Sequence, residues 1–426
     1  MMKIALISTG EEILTGDIVD TNSAWLAELL SDAGFKLSWH VTVGDAMEEL
    51  VDAFELASQR SDVCIVNGGL GPTTDDLSAE AAAQWKHEGL KELSVWIAKL
   101  EDFYASRNRV MPESNRKQAH IPESGEMVDN PVGTACGFKV SHNQCDLYFT
   151  PGVPFEFKTM VKDQILPALV AEQHESMPQL KRWLTFGLSE SLLADWLDPI
   201  ELPQGAVLGY RSSMPTIEIK LRVPASCADS DVKALEKAIS NRLDPFVFST
   251  GKQRMAQRVQ ALMLERGVTL STAESCTGGM VADWLISEAG SSAYFQRGYV
   301  TYSNQAKQDD LGVPKEIITE HGAVSIPVVE AMAEGARDKA QTDFALATSG
   351  IAGPQGGSDD KPVGTVAFAL ATPDGVFSQM LVLPNRGRTL VRKVSTAVAL
   401  DMLRRYLTNQ PIFTQYSGSK ILYQGQ

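Results

Sequence analysis

Short apolar runs alternate along this chain with segments whose apolar positions recur at helical spacing. Residues 4–8 predict a strand, 22–30 a helix, 36–43 a strand, 48–57 a helix and 63–66 a short apolar strand. Such alternation predicts a parallel sheet with helices on both faces, a doubly wound α/β domain over residues 1–170. A strand at 146–149, a Pro- and Gly-bearing turn and a helix over 155–169 close that domain. Residues 172–178 change in composition and read as a linker. Beyond them a strand at 183–186, a helix at 190–197, a hairpin of 206–210 with 216–223 and a helix at 229–243 form a small α+β connector, residues 171–250. A second α/β domain follows over 251–410. Its elements are a helix at 253–266, a strand at 267–270, a helix from Met280, strands at 299–301 and 344–347, and a helix at 328–340. A hairpin of 363–370 with 376–383 and a helix at 390–406 complete it, and residues 411–426 read as a mobile tail.

A chain of 426 residues exceeds one ordinary core, which agrees with several domains. With 44% apolar and 21% charged residues it has the composition of a soluble globular protein. The net charge of −15 opposes non-specific nucleic-acid binding, which relies on Lys and Arg against phosphates. Five cysteines without C-x-x-C spacing argue against a disulfide framework or structural zinc. No apolar run approaches membrane length, and the N-terminus runs straight into a strand, so no membrane is expected and the cytoplasm is the expected compartment.

In open parallel sheets, ligands bind beyond the carboxyl ends of the strands. Two loops of the first domain fall there. One carries Gly10, Glu12 and Gly16; the other carries Gly68, Gly69, Gly71, Thr73, Asp75 and Asp76. Glycines permit close backbone approach, hydroxyls suit phosphate, and paired carboxylates suit a hard divalent metal such as magnesium. A tight turn followed by an Asp helix cap explains the second loop equally well. Residues 110–122 carry Asn115, Arg116, Lys117 and Gln118, which can face a phosphate across the cleft or form a solvated loop.

The most informative stretch of the second α/β domain is Thr272-Ala273-Glu274-Ser275-Cys276-Thr277-Gly278-Gly279. It joins a strand to a helix, where unpaired backbone N–H groups favour negative charge. Ser275 is then a nucleophile beside an oxyanion or phosphate cradle, or simply a helix cap. A neutral serine needs a base. His321 is the only histidine of this domain and has no evident acid to orient it, which argues against a Ser–His–Asp triad. Lys307 can take the proton if burial lowers its pKa, with Tyr302 relaying or orienting it. Tyr302, Asn304 and Lys307 follow one strand, and Ser349, Gly350, Gly353, Gly356 and Gly357 follow another. This glycine loop can hold a ribose phosphate, with Arg388 supplying charge. The amides of Thr277, Gly278 and Gly279 are candidate oxyanion donors, and Cys276 is a rival nucleophile without a histidine partner.

These stretches resemble the CinA (competence/damage-inducible protein A) family. Gly68-Gly69-Leu70-Gly71-Pro72-Thr73-x-Asp75-Asp76, with Gly10-Glu11-Glu12-Ile13-Leu14 and Pro151-Gly152-Val153-Pro154, resembles its N-terminal molybdopterin-binding-like domain. Asn67 stands where the family usually has Thr. The 272–279 stretch, Tyr302-Ser303-Asn304-x-x-Lys307 and Ser349-Gly350-Ile351-Ala352-Gly353-Pro354 resemble its C-terminal domain, and the middle piece its KH-like connector. The resemblance implies nicotinamide-nucleotide amidase activity centred on Ser275, Tyr302 and Lys307, without a cofactor. For the N-terminal domain it implies ADP-ribose pyrophosphatase activity dependent on magnesium, manganese or cobalt. It also implies a homodimer and small-molecule nucleotides as partners. The alternatives are a pterin- or nucleotide-binding module without turnover, and a competence-related interaction protein.

Overall fold

The computed structural model describes residues 2–173 and 177–426. It divides into two compact units, Met1–Gln179 and Leu180–Gln426. Part of the predicted linker, residues 174–176, lies outside the described residues.

The first unit holds β1 (Ile4–Thr9), β2 (Leu37–Val43), β3 (Val63–Asn67), β4 (Leu90–Glu92), β5 (His120–Pro122), β6 (Glu126–Val128), β7 (Gly137–His142) and β8 (Cys145–Thr150). Six of these form one sheet in the order β2-β1-β3-β8-β7-β6, while β4 pairs with β5. The strands β2, β1, β3 and β8 run parallel; β7 and β6 are antiparallel additions. Side chains of a strand alternate between faces, and both faces here are apolar. Ala5, Ile7, Cys64 and Val66 enter one core with Leu50 and Phe54 of the helix Met47–Arg60. Ile4, Leu6, Val63 and Ile65 enter the other with Leu26 and Leu30 of the helix Thr21–Asp32. That two-sided burial accounts for strands that read as unbroken apolar runs.

Two helices, Ser78–Lys86 and Ser94–Ala105, were not legible in the hydrophobic pattern. The stretch read as a solvated or phosphate-facing loop contains instead a 3₁₀ turn, Glu113–Ala119, and β5. Its charges are answered within the protein. Arg116 pairs with Glu92, Lys117 pairs with Glu80, and Asn115 is buried against Gln118.

The second unit opens with a four-stranded sheet of β9 (Gln179–Phe186), β10 (Val207–Ser213), β11 (Thr216–Val223) and β12 (Val247–Ser249), ordered β10-β11-β9-β12. The helices Glu190–Leu197 and Asp229–Leu243 pack on it through Leu193, Leu197, Val232 and Ile239. This is the α+β connector. The six-stranded sheet that follows comprises β13 (Leu270–Glu274), β14 (Phe295–Val300), β15 (Phe344–Gly350), β16 (Thr365–Thr372), β17 (Gly375–Val382) and β18 (Lys420–Gly425). Its order is β14-β13-β15-β16-β17-β18. The pairs of β13 with β14 and with β15 are parallel, and the remaining pairs are antiparallel. One face of β16 carries Val366, Phe368 and Leu370, and the other carries Ala367, Ala369 and Ala371. The alanine face receives the helix Ile326–Ala340. Its Gly335 lies so near the Leu311 carbonyl that an added Cβ would come within 2.1 Å of that oxygen.

Residues 411–426 are not the mobile tail their composition suggested. Tyr416 is buried against Phe186 of the connector, and its hydroxyl donates to Asp401. The Ser417 N–H donates to the Gly187 carbonyl, and β18 completes the sheet along β17. Asp401 also accepts from Arg404 and Arg405, whose Nη2 groups reach the Pro245 carbonyl, while their Nη1 groups donate to Gln410 and the Pro411 carbonyl. The end of the chain thus joins connector and sheet into one core. Deleting residues 412–426 should therefore lower the thermal midpoint of a separately expressed 180–426 unit by more than about 4 °C. Differential scanning calorimetry would measure it, and a mobile tail would leave the midpoint unmoved.

Candidate active site

Both units place their candidate residues where the order of a parallel sheet reverses. In the first, the chain leaves β1 for β2 on one side and returns as β3 on the other. In the second, β14 and β15 flank β13 in the same way. The crevice beyond the carboxyl ends of such strands is open to a ligand.

The strand expected at 267–270 lies further along. β13 spans Leu270–Glu274, so the first residues of the motif belong to the strand and Ser275 immediately follows it. The Ser275 N–H donates to the Thr348 carbonyl of β15, and the Thr301 N–H donates to the Glu274 carbonyl. Three strand ends are thereby locked around Ser275. Lys307, in the helix Asn304–Leu311, points back into them. Its Nζ lies 3.2 Å from Ser275 Oγ and donates to the Thr301 carbonyl at 2.8 Å and the Tyr302 carbonyl at 3.4 Å. Lys307 is 1% exposed and Ser275 9% exposed. Burial pushes the amine below its ordinary pKa of about 10.5, because desolvation penalises the charged form; the neighbouring Cys276 acts weakly the other way. With the proton lost, two N–H groups serve the two carbonyls and the lone pair is left for the serine hydroxyl.

Glu274, unassigned from sequence, is buried, and its carboxylate accepts from the N–H groups of Val281 at 3.0 Å and Ala282 at 2.9 Å. The protein's own carboxylate therefore fills the N-terminus of the helix Met280–Ile286, which sequence reasoning offered to a bound anion. The turn before that helix remains. Its Gly278 N–H closes onto the Ser275 carbonyl at 3.1 Å, which removes Gly278 from the expected oxyanion donors. The N–H groups of Thr277 and Gly279 have no backbone acceptor among the described residues, and that of Thr277 lies near the Cys276 sulfur. Gly278 and Gly279 have φ of 59° and 92°, a left-handed pair that glycine adopts without Cβ strain. The Thr277 hydroxyl is buried against the Thr348 hydroxyl at 2.7 Å, so it pins the turn and faces no ligand. Arg392, from the helix Arg388–Leu407, donates twice to the Thr277 carbonyl, through Nη2 at 2.6 Å and Nε at 3.3 Å.

Cys276 turns the other way, into the core beside Val281 and Leu285. Burial pushes its thiol up to about 12, so it is not a nucleophile at neutral pH. Tyr302 is 62% exposed, and its hydroxyl accepts from Arg388 at 3.0 Å, not from Lys307. It meets Lys307 through its backbone carbonyl, so the expected hydroxyl relay is not formed. Arg388 also donates to the Gly353 carbonyl at 2.9 Å and so ties the strand end after β14 to the glycine loop after β15. Ser349 spends its hydroxyl on the Ala323 carbonyl, and Gly350 ends β15. Asn304, Gly356 and Gly357 are exposed. His321 ends the helix Lys315–His321 beside Glu320.

In the first unit a cleft of about 560 Å³ opens at the ends of β1 and β3. Gly10, Glu12, Gly68, Gly69 and Gly71 line it, as do Asp75 and Asp76, whereas Thr73 faces a shallower neighbouring depression. Thr9 and Asn22 also line it, and their buried Oγ1 and Oδ1 atoms have no hydrogen-bond partner among the described residues. A Cβ on Gly68 would come within 2.4 Å of Thr9 Oγ1, so glycine is needed there for the loop to cross the strand end. Asp76 curls over Gly71 and accepts from the N–H and hydroxyl of Thr73. It closes a turn and does not cap the helix Ser78–Lys86, which starts after Leu77. A hydrogen bond from Thr73 holds the exposed Asp75 carboxyl below its ordinary value. Among the described residues no group of three or more His, Cys, Asp or Glu is placed to hold a metal ion. No described helix is long and apolar enough to cross a membrane.

Residues 252–407 match the CinA C-terminal domain, and residues 5–171 match a family described as a probable molybdopterin binding domain. A CinA-like protein of Shewanella piezotolerans is 54% identical over 98% of this chain and 99% of its own. A Shewanella oneidensis relative, named nicotinamide-nucleotide amidohydrolase PncC, is 52% identical over 97% of this chain and 98% of its own. Among solved structures, a competence/damage inducible protein of Agrobacterium tumefaciens is 44% identical, with a TM-score of 0.35. It covers 36% of this chain and 93% of that one. With near-complete coverage at more than half identity, and with both domains matched, the chain belongs to the CinA family.

Proposed function

We propose that the second unit hydrolyses the carboxamide of nicotinamide mononucleotide to nicotinate mononucleotide and ammonia. The observation that carries this reading is the buried Lys307 amine 3.2 Å from Ser275 Oγ. The substrate class comes from the relative named as a nicotinamide-nucleotide amidohydrolase. In the proposed reaction the neutral amine takes the Ser275 proton as Oγ adds to the carboxamide carbon. The N–H groups of Thr277 and Gly279 meet the oxyanion, an interaction worth about 3–4 kcal/mol per donor in other enzymes. The Lys307 ammonium then gives its proton to the departing nitrogen, and ammonia leaves an ester on Ser275. Water, deprotonated by the same amine, resolves the ester. Tyr302, exposed at the rim with its hydroxyl on Arg388, borders the substrate in this reading and carries no proton. Asn304, Gly356 and Gly357 are left for the ribose phosphate.

A second activity is favoured by the cleft of the first unit, where Thr9 Oγ1 and Asn22 Oδ1 are buried without partners among the described residues. Polar atoms withdrawn from water are normally satisfied, so unpaired ones within the cleft wall favour a polar ligand beside them. We infer cleavage of the ADP-ribose pyrophosphate there. Asp75 and Asp76 would hold magnesium, manganese or cobalt, the phosphates completing its ligands, and the metal would supply charge neutralisation. Two carboxylates suit a metal that arrives with phosphate better than one caged by protein.

Three outcomes are expected. Ser275→Ala and Lys307→Met should each lower ammonia release from nicotinamide mononucleotide by about 10⁴-fold or more, while circular dichroism stays unchanged; full turnover in Ser275→Ala removes the nucleophile. Because only the neutral amine accepts the proton and burial lowers its pKa, kcat/KM should rise with pH through a value below that of an ordinary lysine. A rate independent of pH from 6 to about 10 excludes Lys307 as base. At the first unit, mass spectrometry should detect AMP from ADP-ribose with a divalent metal, lost in Asp75→Asn/Asp76→Asn; calorimetric uptake without product would mark a binding module.

A further inference from the structure

We propose that Arg392 is a positioning residue for the oxyanion turn, acting through the Thr277 carbonyl. The claim rests on the amidase reading of Ser275 and extends it to a group that need not touch substrate. The chain between Ser275 and the next helix contains two successive left-handed glycines. Glycine gives this turn its shape but also leaves it the most backbone freedom to lose. Something must hold the turn if its amides are to meet a developing charge without reorganising.

The peptide between Thr277 and Gly278 is held at both ends. Its N–H donates to the Ser275 carbonyl at 3.1 Å. Its carbonyl, which points the opposite way across a trans peptide, accepts from Arg392 Nη2 and Nε at 2.6 and 3.3 Å. The adjoining amides of Thr277 and Gly279, which have no backbone acceptor among the described residues, are each joined to that held peptide through a single Cα, so fixing it removes much of their freedom to move. Arg392 has no salt bridge among those formed by the described residues, so its guanidinium is not committed to a carboxylate. Gly278 also leaves room for it: an added Cβ would sit 3.4 Å from Nη2. Arg388, one helical turn earlier, does a different job by joining Tyr302 to Gly353.

The test compares Arg392→Met, which keeps the aliphatic stem, and Arg392→Lys, which keeps one charged donor, with the wild type in the full-length protein. Labelling by a fluorophosphonate reports the turn directly. Ser275 Oγ forms a bond to phosphorus as fluoride leaves, the serine proton passes to Lys307, and the phosphoryl oxygen meets the turn amides. Mass spectrometry should find the label on Ser275, with Arg392→Met labelled about tenfold or more slowly and Arg392→Lys intermediate. In turnover of nicotinamide mononucleotide, kcat should fall by a similar factor with KM within about twofold. Nicotinamide riboside, which lacks the phosphate, should suffer the same fractional loss of kcat/KM. Equal labelling rates in wild type and Arg392→Met, or no label on Ser275 of the wild type, would overturn the proposal. So would a defect confined to KM that vanishes with the riboside, which would make Arg392 a phosphate ligand. If Arg392→Met does not fold, the Arg392→Lys comparison decides by the same readouts. A wild type that is labelled but releases no ammonia would sink the amidase reading and leave the labelling comparison to decide the role of Arg392.

Discussion

The second unit depends on keeping one amine out of water. A lysine side chain normally trails its charge into solvent, and withdrawing an unpaired ammonium costs several kcal/mol. Lys307 is nonetheless fully buried. The helix Asn304–Leu311 aims it into the junction of three strand ends, where the Thr301 and Tyr302 carbonyls take its N–H groups and Ser275 takes the rest. The polar atoms within reach of the amine are all neutral, with no carboxylate among them, so burial disfavours its charged form. The sheet register, the Ser303 cap that starts the helix and the bond from Thr301 to Glu274 all hold this junction.

The same topology serves two electrostatic ends. Each unit has its crevice at a reversal of strand order, and each lines it with glycine turns. In the second unit the helix N-terminus is occupied by Glu274, so the free donors are turn amides, set beside an amine. In the first, the turn is folded around Asp76, and acceptors predominate among the side chains on the cleft. Backbone geometry provides the crevice; the carboxylate and lysine positions decide what it can do.

Much of this was legible in the sequence because parallel strands buried on both faces leave unmistakable apolar runs, and because chemistry-bearing residues crowd their ends. Ser275, Lys307 and the glycine turns were found in that way. What was not legible depends on distant partners. Arg116 and Lys117 look free for a phosphate until Glu92 and Glu80 are folded against them. Arg392 looks like any helical arginine until the chain brings it to Thr277. Tyr302 and Lys307 shared a segment, but the tyrosine lies before the helix and the lysine within it, so one faces solvent and the other the core. The last strand was hidden because its pairing is decided by an edge that only the preceding hairpin creates.

The choice between Ser275 and Cys276 shows how far conformation outranks intrinsic reactivity. Sulfur is the stronger nucleophile, and the two residues are adjacent. Ser275 leaves β13 with its hydroxyl towards Lys307, whereas Cys276 has its sulfur among Val281 and Leu285. A thiol in apolar surroundings keeps its proton, whatever its reactivity in water. A hydroxyl beside a desolvated amine can lose its proton during attack, when the charge moves to a tetrahedral oxygen that two turn amides can receive. One residue of displacement along the turn would exchange these environments. The register of β13 against β14 and β15 therefore sets which of the two side chains meets Lys307.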